Sequence, residues 1–597
     1  MSGLARAAAG KTSGMPMTGR RAVFAALCTV TLAALLWLMA VTLSPGGLGI
    51  ADIIILTLFG LTLPWLVIGF WNAVIGYLIM RFAADPEAAV TPVVAGIRGD
   101  EPITGSTAIL MCVRNEMPDR VIRNLRPTFA GLSTKGAGEK FHVYVLSDTS
   151  DAAVAQAEEK QFGALAESFR GQIEIAYRRR AVNAGFKAGN IRDAFERWGS
   201  LHELALVLDT DSFMSANAIL RLVRVMQANP RLGILQSLVV GLPSTSAFAR
   251  IFQFGMRLGM RSYTTGSAWW QGDCGPYWGH NAVIRIAPFM AHCELPPIPK
   301  GSLLGDHVLS HDQIEATLMR RAGYEVRVLP KEDDSFEENP PTMIEFIRRD
   351  LRWCQGNMQY VHFLTLPGLL PVSRYQLVFA ILMFVGSPAW IALLILGTLM
   401  IALAPNVTDV IQRGPGLVLY LSVFVMWMSP KLATILYVLP RKRARDAFGG
   451  TARFAVSILT ETVFFILLMP IMWFRHTVFL IGLMFGKQIG WIGQSRDDHS
   501  VAWSEAAQTL WPQTLLGWAC IGLLAATHPA AVPFALFVAG GLALAIPLAV
   551  VTSDPKVGRA LTRLGVGCLP EETSIPAELR ELKLAALDMI AARQRGA

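Results

Sequence analysis

The chain has 597 residues and a formal net charge of +9, and 53% of its residues are hydrophobic while only 16% are charged. Soluble domains carry about 25% charged residues, so this composition excludes a disordered or fibrous protein and disfavours an ordinary soluble enzyme. In a membrane protein, an excess of Lys and Arg marks cytoplasmic loops more often than a nucleic-acid surface. The seven cysteines form no C-x-x-C pair, which indicates neither a zinc site nor a disulfide framework.

Two apolar segments stand near the N-terminus. The stretch 1–21 is basic and contains no acid, and apolar runs follow it at 22–43 and 52–80. About 20 apolar residues cross a bilayer, so 22–80 is predicted to form two transmembrane helices. The first run is longer than the apolar part of a cleaved signal peptide. Because Lys and Arg favour the inner side, residues 1–21 are expected in the cytoplasm, and two crossings return the chain there.

Residues 81–373 are mixed in polarity and are predicted to form a cytosolic catalytic domain. Strand-like runs alternate with helical patterns such as 151–170 and 214–228. Examples of the strand-like runs are 107–113, 141–148, 173–178, 204–211 and 232–237. Apolar strands that alternate with helices predict an α/β fold with a mostly parallel sheet.

Residues 374–552 are predicted to form a second membrane part. Apolar runs lie at 376–403, 416–440, 453–473, 476–490, 510–527 and 531–552. The run 476–490 is short enough for an interfacial position, and with the N-terminal pair the total is about eight spans. The basic loop 441–450 follows an even number of crossings, as inside-facing Lys and Arg require. The polar tail 553–597, with a helical pattern at 577–594, is expected in the cytoplasm.

Acids follow two of the predicted strands. Asp209 and Asp211 form a D-x-D after an apolar strand, where carboxylates at a strand end can share Mg²⁺ or Mn²⁺ on a diphosphate. The alternative is an exposed turn. Asp148 also ends a strand and can accept a hydrogen bond from a nucleotide, or it can be the N-cap of the helix at 151–170.

Two further motifs carry charge into the same domain. Lys187 opens the sequence K-A-G-N, which ends at Asn190 and follows three arginines, and Lys supplies a point charge for phosphate. The alternative is a solvated basic loop. Asp312, in S-H-D, can act as a general base or cap a helix, while His311 is expected to be structural.

Aromatic side chains accompany the last basic motif. Arg349, Arg352 and Trp353 belong to R-R-D-L-R-W, where Arg352 can neutralise a leaving diphosphate and Trp353 can stack on a sugar ring. The alternative is a juxtamembrane cluster, since Arg and Trp favour bilayer interfaces. Two aromatic clusters can line a sugar-binding cleft or belong to the core, and their members are Trp269, Trp270, Trp278 and His280.

The order of these motifs resembles that of the processive family 2 inverting glycosyltransferases, which include cellulose, chitin and hyaluronan synthases. The matching strings are TAILMCVRNE (107–116), LSDT (146–149), KAGN (187–190), LDTDS (208–212), SHD (310–312) and LRWCQGN (351–357). The resemblance implies a nucleotide-sugar-binding GT-A-like domain inserted into the membrane part. One departure is that Arg349 stands where polymer synthases carry the Gln of Q-x-x-R-W, and another is that His311 precedes the candidate base.

The resemblance also implies roles for the named residues. Asp148 would contact uridine, Asp209 and Asp211 would organise Mg²⁺ or Mn²⁺ beside Lys187, and Asp312 would be the base. Arg352 would stabilise the leaving UDP, with Arg349 and Asn190 counted in the same donor site. Trp353 would help form the acceptor site together with the two aromatic clusters. The segment 491–505 is expected to close over bound donor as a gating loop does in related synthases.

Longer strings narrow the resemblance. YRRR (177–180), FERWGS (195–200), YWGHNAVIR (277–285), LSHDQIEATLMRRAGYEV (309–326), RWCQGN (352–357), HTVF (476–479) and QSRDDHSVAW (494–503) are similar to the enzymes that make the backbone of osmoregulated periplasmic glucans. This implies a Gram-negative inner-membrane enzyme with both termini cytoplasmic, UDP-glucose as donor and a β-1,2-linked glucan as acceptor. For some relatives it also implies an acyl carrier protein or a periplasmic glucan-processing partner. The alternatives are another family 2 synthase, of cellulose, β-1,3-glucan or hyaluronan type, and a glucan transporter without chemistry.

Overall fold

The computed structural model describes residues 15–489 and 496–584. Its first elements are two long helices, α1 (Met17–Thr42) and α2 (Ile50–Phe82), which occupy the segment predicted as two transmembrane helices. They are joined at mid-length, where the indole Nε1 of Trp71 donates to Thr31 Oγ1 at 3.0 Å. Of the predicted N-terminal stretch 1–21, residues 1–14 lie outside the described residues.

One eight-stranded sheet forms the centre of the part between the two sets of apolar helices. This part, residues 83–370, is called the sheet unit below. The strands are β1 (Thr107–Val113), β2 (Phe141–Ser147), β3 (Glu174–Arg179), β4 (Leu204–Leu208), β5 (Ser212–Met214), β6 (Leu232–Gly241), β7 (Ala282–Arg285) and β8 (Glu325–Glu337). Their order is β3-β2-β1-β4-β7-β6-β8-β5. Six strands run in one direction, and β5 and β7 run against them, which confirms a mostly parallel sheet.

Helices cover both faces of the sheet. They are α3 (Pro86–Val90), α4 (Pro118–Thr134), α5 (Ala152–Ser168), α6 (Phe186–Trp198), α7 (Ala216–Ala228), α8 (Ala247–Gln271), α9 (Ile286–His292), α10 (Asp312–Arg321) and α11 (Met343–Met358). Along β1, Ile109 joins Phe129 of α4 in one core, while Leu110 joins Phe195 of α6 in the core of the other face. Side chains alternate across a strand, so two covered faces require the apolar sequence that β1 has from Ala108 to Val113.

The remaining helices form the second apolar part and the tail. They are α12 (Pro371–Leu403), α13 (Arg413–Val438), α14 (Lys442–Ala447), α15 (Thr451–Met484), α16 (Trp503–Thr527), α17 (Val532–Ala543), α18 (Ala545–Ser553), α19 (Pro555–Leu564) and α20 (Pro570–Thr573). Across the described chain, six helices are long and apolar enough to cross a membrane, or seven if the pair around α17 and α18, bent by 56°, counts as one span. The prediction of about eight spans is therefore too high.

The excess span comes from one continuous helix. The predicted runs 453–473 and 476–490 lie largely in α15, which does not break at the polar pair Arg475–His476. His476 is buried, and its ring nitrogens lie 2.5 Å from Asp350 Oδ2 and 3.0 Å from Ser387 Oγ. These partners satisfy the imidazole inside the fold, so the helix continues where hydropathy alone indicates a break.

Both ends of α15 lie against the sheet unit. Near its start, Phe454 packs with Phe254 of α8 in one cluster. Just beyond its end, the backbone N–H of Ile489 donates to Gln355 Oε1 of α11 at 2.9 Å. The chain after α19 returns to the same unit, because Leu579 is buried in a cluster with Phe213 of β5. The predicted helix at 577–594 is described as helical to residue 584, and the rest lies outside the described residues.

Candidate functional site

The site lies at the carboxyl ends of the parallel strands. Asp148 follows β2, and Asp209 and Asp211 follow β4. Since β7 runs in the opposite direction, the residues before it, Gly279 and His280 among them, reach the same edge of the sheet. Asp312 begins α10 and packs against this edge, because a Cβ on Gly279 would lie 3.3 Å from the Cβ of Asp312. The fold thus brings Asp148 and Asp312, which are 164 residues apart in the sequence, to one edge of the sheet.

The D-x-D is a tight turn between β4 and β5. The backbone N–H of Ser212 donates to the carbonyl of Asp209 at 2.9 Å, and Thr210 Oγ1 donates to Glu116 Oε1 at 3.1 Å. Burial raises the pKa of Glu116 to about 7. Asp209 is half-buried and Asp211 is buried, so this is not the exposed turn of the alternative interpretation.

Lys187 connects the D-x-D to the loop before β7. Its Nζ donates to Asp209 Oδ1 and, at 2.7 Å, to the carbonyl of Gly279. Burial acts to lower the pKa of Lys187, but the carboxylate of Asp209 outweighs it and raises that pKa. Gly189 permits this arrangement, because a Cβ there would lie 2.1 Å from the carbonyl oxygen of Ala184. Lys187 therefore belongs to the site and not to a solvated loop.

Asn190 is buried near Lys187, where its side chain makes hydrogen bonds to two neighbouring strands. Its Nδ2 donates to the carbonyl of Leu146 at 3.0 Å, and its Oδ1 accepts from Arg178 at 2.6 Å. The residue is 1% exposed. Asn190 thus joins α6 to β2 and holds Lys187 in place from behind, while its predicted contact with the donor stays a prediction.

Asp148 is held by a partner that the sequence prediction did not name. Both of its carboxylate oxygens accept from Arg180, at 2.7 and 2.8 Å. The side chains of Asp148 and Arg180 are 6% and 10% exposed. The alternative of a helix cap does not apply, since the N-cap of α5 is Asp151, whose side chain accepts from Val154 N.

A buried pair supports the candidate base. Asp312 is the first residue of α10, and the N-cap is His311, which makes no side-chain cap bond. His311 Nδ1 lies 2.8 Å from Glu315 Oε2, and both residues are buried. Burial acts to lower the pKa of His311, but the carboxylate of Glu315 outweighs it and raises that pKa. His311 is therefore structural, and it fixes the turn from which Asp312 projects.

The R-R-D-L-R-W motif lies on α11. The guanidinium of Arg349 is buried and stacks on the ring of Trp353 at 4.7 Å, and Trp353 itself is 44% exposed. Burial lowers the pKa of Arg349. Burial also lowers the pKa of Arg352, and the nearby guanidiniums of Arg496 and Arg349 lower it further. The guanidiniums of Arg349, Arg352 and Arg496 thus lie close enough to act on one another, and together they concentrate positive charge at this edge of the site.

Arg496 reaches the D-x-D from the second apolar part of the chain. Its Nη1 donates to Asp211 Oδ2 at 2.7 Å. Burial acts to raise the pKa of Asp211, but Arg496 and then His280 outweigh it and lower that pKa to about 2. Arg496 belongs to the predicted gating segment 491–505, of which residues 491–495 lie outside the described residues. Sequence reasoning gave Arg496 no role of its own.

The two aromatic clusters occupy different places. Trp270 stacks on Phe24 of α1 at 4.3 Å and donates to Asn72 of α2 at 3.0 Å, and the guanidinium of Arg20 lies 5.7 Å from the ring of Trp269. Trp269 and Trp270 therefore pack between helices, away from the site, as the alternative of core aromatics has it.

The second cluster lies at the site edge. His280 Nδ1 is 3.2 Å from Ser212 Oγ, and its Nε2 is 3.6 Å from Glu337 Oε2. Trp278 is half-buried, and its backbone N–H donates to Gln236 Oε1 at 2.8 Å. His280 and Trp278 therefore stay candidates for contact with a ligand.

Two family models match parts of the chain. The model of Glycosyl transferase family group 2 matches residues 204–492, and that of Glycosyl transferase family 2 matches residues 108–292. A mannosyltransferase from Pyrobaculum calidifontis, solved with GDP-Man and Mn²⁺, aligns with 65% of this chain and 98% of its own, at 14% identity and a TM-score of 0.42.

Two relatives cover most of the chain. The Glucans biosynthesis glucosyltransferase H of Xylella fastidiosa is 35% identical over 555 residues, which are 90% of this chain and 86% of the relative. The protein of the same name from Xanthomonas campestris pv. campestris is 34% identical over 583 residues, 95% of this chain and 89% of the relative. The resemblance found in the motifs is confirmed. The chain belongs to the glucans biosynthesis glucosyltransferase H family, and it is a family 2 glycosyltransferase of GT-A-like fold that acts in glucan synthesis.

Proposed function

We propose that the chain transfers glucose from UDP-glucose, with inversion, to the end of a growing β-1,2-linked glucan that becomes the backbone of osmoregulated periplasmic glucans. The observation that supports this most is the meeting of Asp312 and the D-x-D through Lys187 and Gly279. Lys187 joins Asp209 to the carbonyl of Gly279, and Asp312 packs over the same glycine. A group that can take a proton and groups that can hold a diphosphate therefore share one cleft.

The proposed reaction is a single displacement. The Asp312 carboxylate takes the proton of an acceptor hydroxyl while that oxygen bonds to the anomeric carbon of glucose. The bond from this carbon to the diphosphate breaks on the opposite face, and its electron pair leaves with UDP. The α-linked donor thus gives a β-linked product. The buried pair of His311 and Glu315 fixes the start of α10, so the carboxylate is held in one place as proton transfer requires.

The residues of the D-x-D fit a divalent cation. Mg²⁺ and Mn²⁺ accept hard carboxylate oxygens, and Mg²⁺ is commonly held by one or two carboxylates together with substrate phosphates. Within residues 15–489 and 496–584, no cluster of three or more His, Cys, Asp or Glu could hold a metal alone, so Asp209 and Asp211 would hold it with the donor. When bound, the cation would neutralise charge on the diphosphate. Arg349 and Arg352 supply further positive charge for the leaving UDP.

Asp148 is proposed to bind the uridine part of the donor. Arg180 occupies one acceptor position on each carboxylate oxygen, and each oxygen keeps a second lone pair. The ion pair therefore fixes the direction of the carboxylate and leaves it able to accept from a base or ribose. Asn190 would act in this site by positioning Lys187.

The acceptor is proposed to lie between the sheet unit and the apolar helices. Trp353 offers an exposed ring face beside Arg349, which suits a pyranose. Three residues before Trp353, Asp350 lies with His476 at the border of a cavity among the apolar helices, which Trp65, Trp390, Trp427 and Trp473 also line. The position of this cavity supports the proposal that synthesis and export of the glucan are coupled.

A topology in the bacterial inner membrane follows from the contacts of α15. Because both ends of α15 touch the sheet unit, we infer that α15 enters the apolar part without crossing it. The remaining six crossings are α1, α2, α12, α13, α16 and the bent pair of α17 and α18. An even number leaves both termini with the catalytic domain in the cytoplasm, in agreement with the contact of Leu579 with β5. The predicted acyl carrier protein and periplasmic partners stay predictions.

Replacement of the base tests this proposal. Asp312→Asn should abolish incorporation of labelled glucose from UDP-glucose into glucan while UDP binding is retained. The matched control is Asp306→Asn, which changes an exposed acid six residues earlier and should leave synthesis intact. Retained synthesis in Asp312→Asn would refute the role of the base. Linkage analysis of the wild-type product separates this enzyme from other family 2 synthases, and release of UDP by the purified protein separates it from a transporter.

A further inference from the structure

The two acids of the D-x-D are paired with basic side chains from two different parts of the chain. The partner of Asp209 is Lys187, which lies in the first turn of α6 inside the sheet unit. The partner of Asp211 is Arg496, which is 285 residues away and belongs to the chain between α15 and α16. The side chains of Arg496 and Asp211 are 17% and 13% exposed, so little water compensates their charges and each is the other's directly bonded ionic partner.

Residues 496–502, called the Arg496 loop below, are held over the site at several points. Asp497 Oδ1 accepts from Arg120 of α4 at 3.1 Å, and Asp498 Oδ2 accepts from Thr245 Oγ1 at 2.5 Å. Val501 is buried, and its N–H donates to Ser553 Oγ at 2.9 Å. Val501 thus anchors the loop among the apolar helices, while the contacts of Asp497 and Asp498 are side-chain contacts at the rim of the site.

Attraction and repulsion act on Arg496 at the same place. Asp211 attracts its guanidinium, whereas the like charges of Arg349 and Arg352 act against it. A divalent cation on Asp211 would place a second positive charge close to the guanidinium of Arg496, and it would draw on the same carboxylate charge that attracts the arginine. Binding of a cation to Asp211 therefore competes with the bond from Arg496.

We propose that Arg496 and the divalent cation bind Asp211 in exchange, so that loading of the cation with the nucleotide sugar releases the Arg496 loop and an engaged loop opposes loading. The inference rests on the proposed cation and donor site. By linkage, the factor by which the loop weakens cation binding is the factor by which the cation weakens loop docking. Coupling between two such sites commonly amounts to about 5- to 150-fold in affinity.

Binding of UDP to the purified full-length protein, measured as a function of Mn²⁺ concentration, tests the exchange without turnover. Arg496→Met should lower the Mn²⁺ concentration at half-saturation by at least about fivefold. The matched control is Arg126→Met, which removes an exposed arginine on α4 and should leave that concentration unchanged. An unchanged or raised concentration in Arg496→Met overturns the exchange, and weaker binding of UDP there would instead make Arg496 a phosphate ligand. If the wild type binds no UDP with Mn²⁺, the proposed donor site fails, and the exchange fails with it.

A cross-link tests the same inference from the other side. Thr245→Cys combined with Asp498→Cys places two thiols where the present side chains are 2.5 Å apart. Oxidation should hold the loop closed and remove Mn²⁺-dependent UDP binding, and reduction should restore it. Each single variant under the same oxidant controls for the native cysteines. Full UDP binding in the verified cross-linked protein would show that the loop and the cation do not exclude each other.

Discussion

Removal of Arg180 provides a sharp test of how the site is held together. Arg180→Met leaves the carboxylate of Asp148 without the two hydrogen bonds of 2.7 and 2.8 Å that it accepts. Arg180 also donates to the carbonyls of Ala184 and Phe186, at 3.0 and 3.1 Å, in the turn that leads to Lys187. The substitution therefore strands a buried charge and loosens the turn that places the lysine.

The expected cost follows from the burial of the pair. With side chains that are 10% and 6% exposed, little water can replace the guanidinium, and breaking a buried pair from one side costs about 3–5 kcal/mol. Adding Asp148→Asn removes the stranded charge, so the double variant should recover part of that loss. This recovery separates the cost of the stranded charge from the cost of the lost side-chain packing.

The assay is thermal unfolding of the purified protein in detergent, with UDP binding measured in parallel. The matched control is Arg179→Met, because Arg179 precedes Arg180 at the end of β3 and is exposed. Arg180→Met should unfold well below the wild type and the control, and the double variant should lie between them. If Arg180→Met and Arg179→Met unfolded together with the wild type, the ion pair would not support the site in the way described.

Three further predictions concern the site and the topology. Asp209→Ala or Asp211→Ala should remove the metal-dependent part of UDP affinity, as measured by titration of UDP with and without Mn²⁺; unchanged affinity would reduce the D-x-D to a turn. Glu315 raises the pKa of His311 above the ordinary value of 6.5, so the protonated pair contributes stability that is complete below that value and is lost as the pH rises through the raised pKa. His311→Gln should abolish this alkaline loss in melting temperature, and an unaltered pH profile would contradict it. An epitope at residue 597 should be accessible only after cell lysis, and labelling in intact cells would overturn the even number of crossings.

The main strands were predictable because both faces of the sheet are covered. β1 coincides with the predicted run at 107–113, since burial on both sides makes its residues apolar from Ala108 to Val113. β7 escaped prediction because its four residues, Ala282–Arg285, are too few to show a period. The second half of β8 carries the sequence KEDDSFE, whose charges hide a strand that lies at the site edge. The length of a strand and the covering of both its faces by helices, and not its β-propensity alone, decided whether it could be recognised in the sequence.

The site was predictable to the extent that its residues follow strands. Asp209, Asp211 and Asp148 follow strands whose carboxyl ends form one edge, so topology alone predicts that they meet. The partner of Asp148 was hidden in a run of three arginines, because period-two alternation does not tell which of them turns inward after the strand ends. Trp269 and Trp270 show the opposite failure, since aromatic residues suit both a sugar cleft and helix packing, and only the fold separates the two.

The two basic side chains at the D-x-D come from different parts of the chain, and this difference determines how the site can open. The backbone of Lys187 is fixed beside Asp209, because Asn190 in the same helix is bonded to β2. Arg496 can leave Asp211 by a movement of the Arg496 loop alone, since its anchor at Val501 is five residues away. A cation can therefore gain the oxygens of Asp211 without any change in the sheet unit. Asp209 is thus paired with a lysine of the sheet unit itself, and Asp211 is paired with an arginine from the part of the chain that contains the apolar helices.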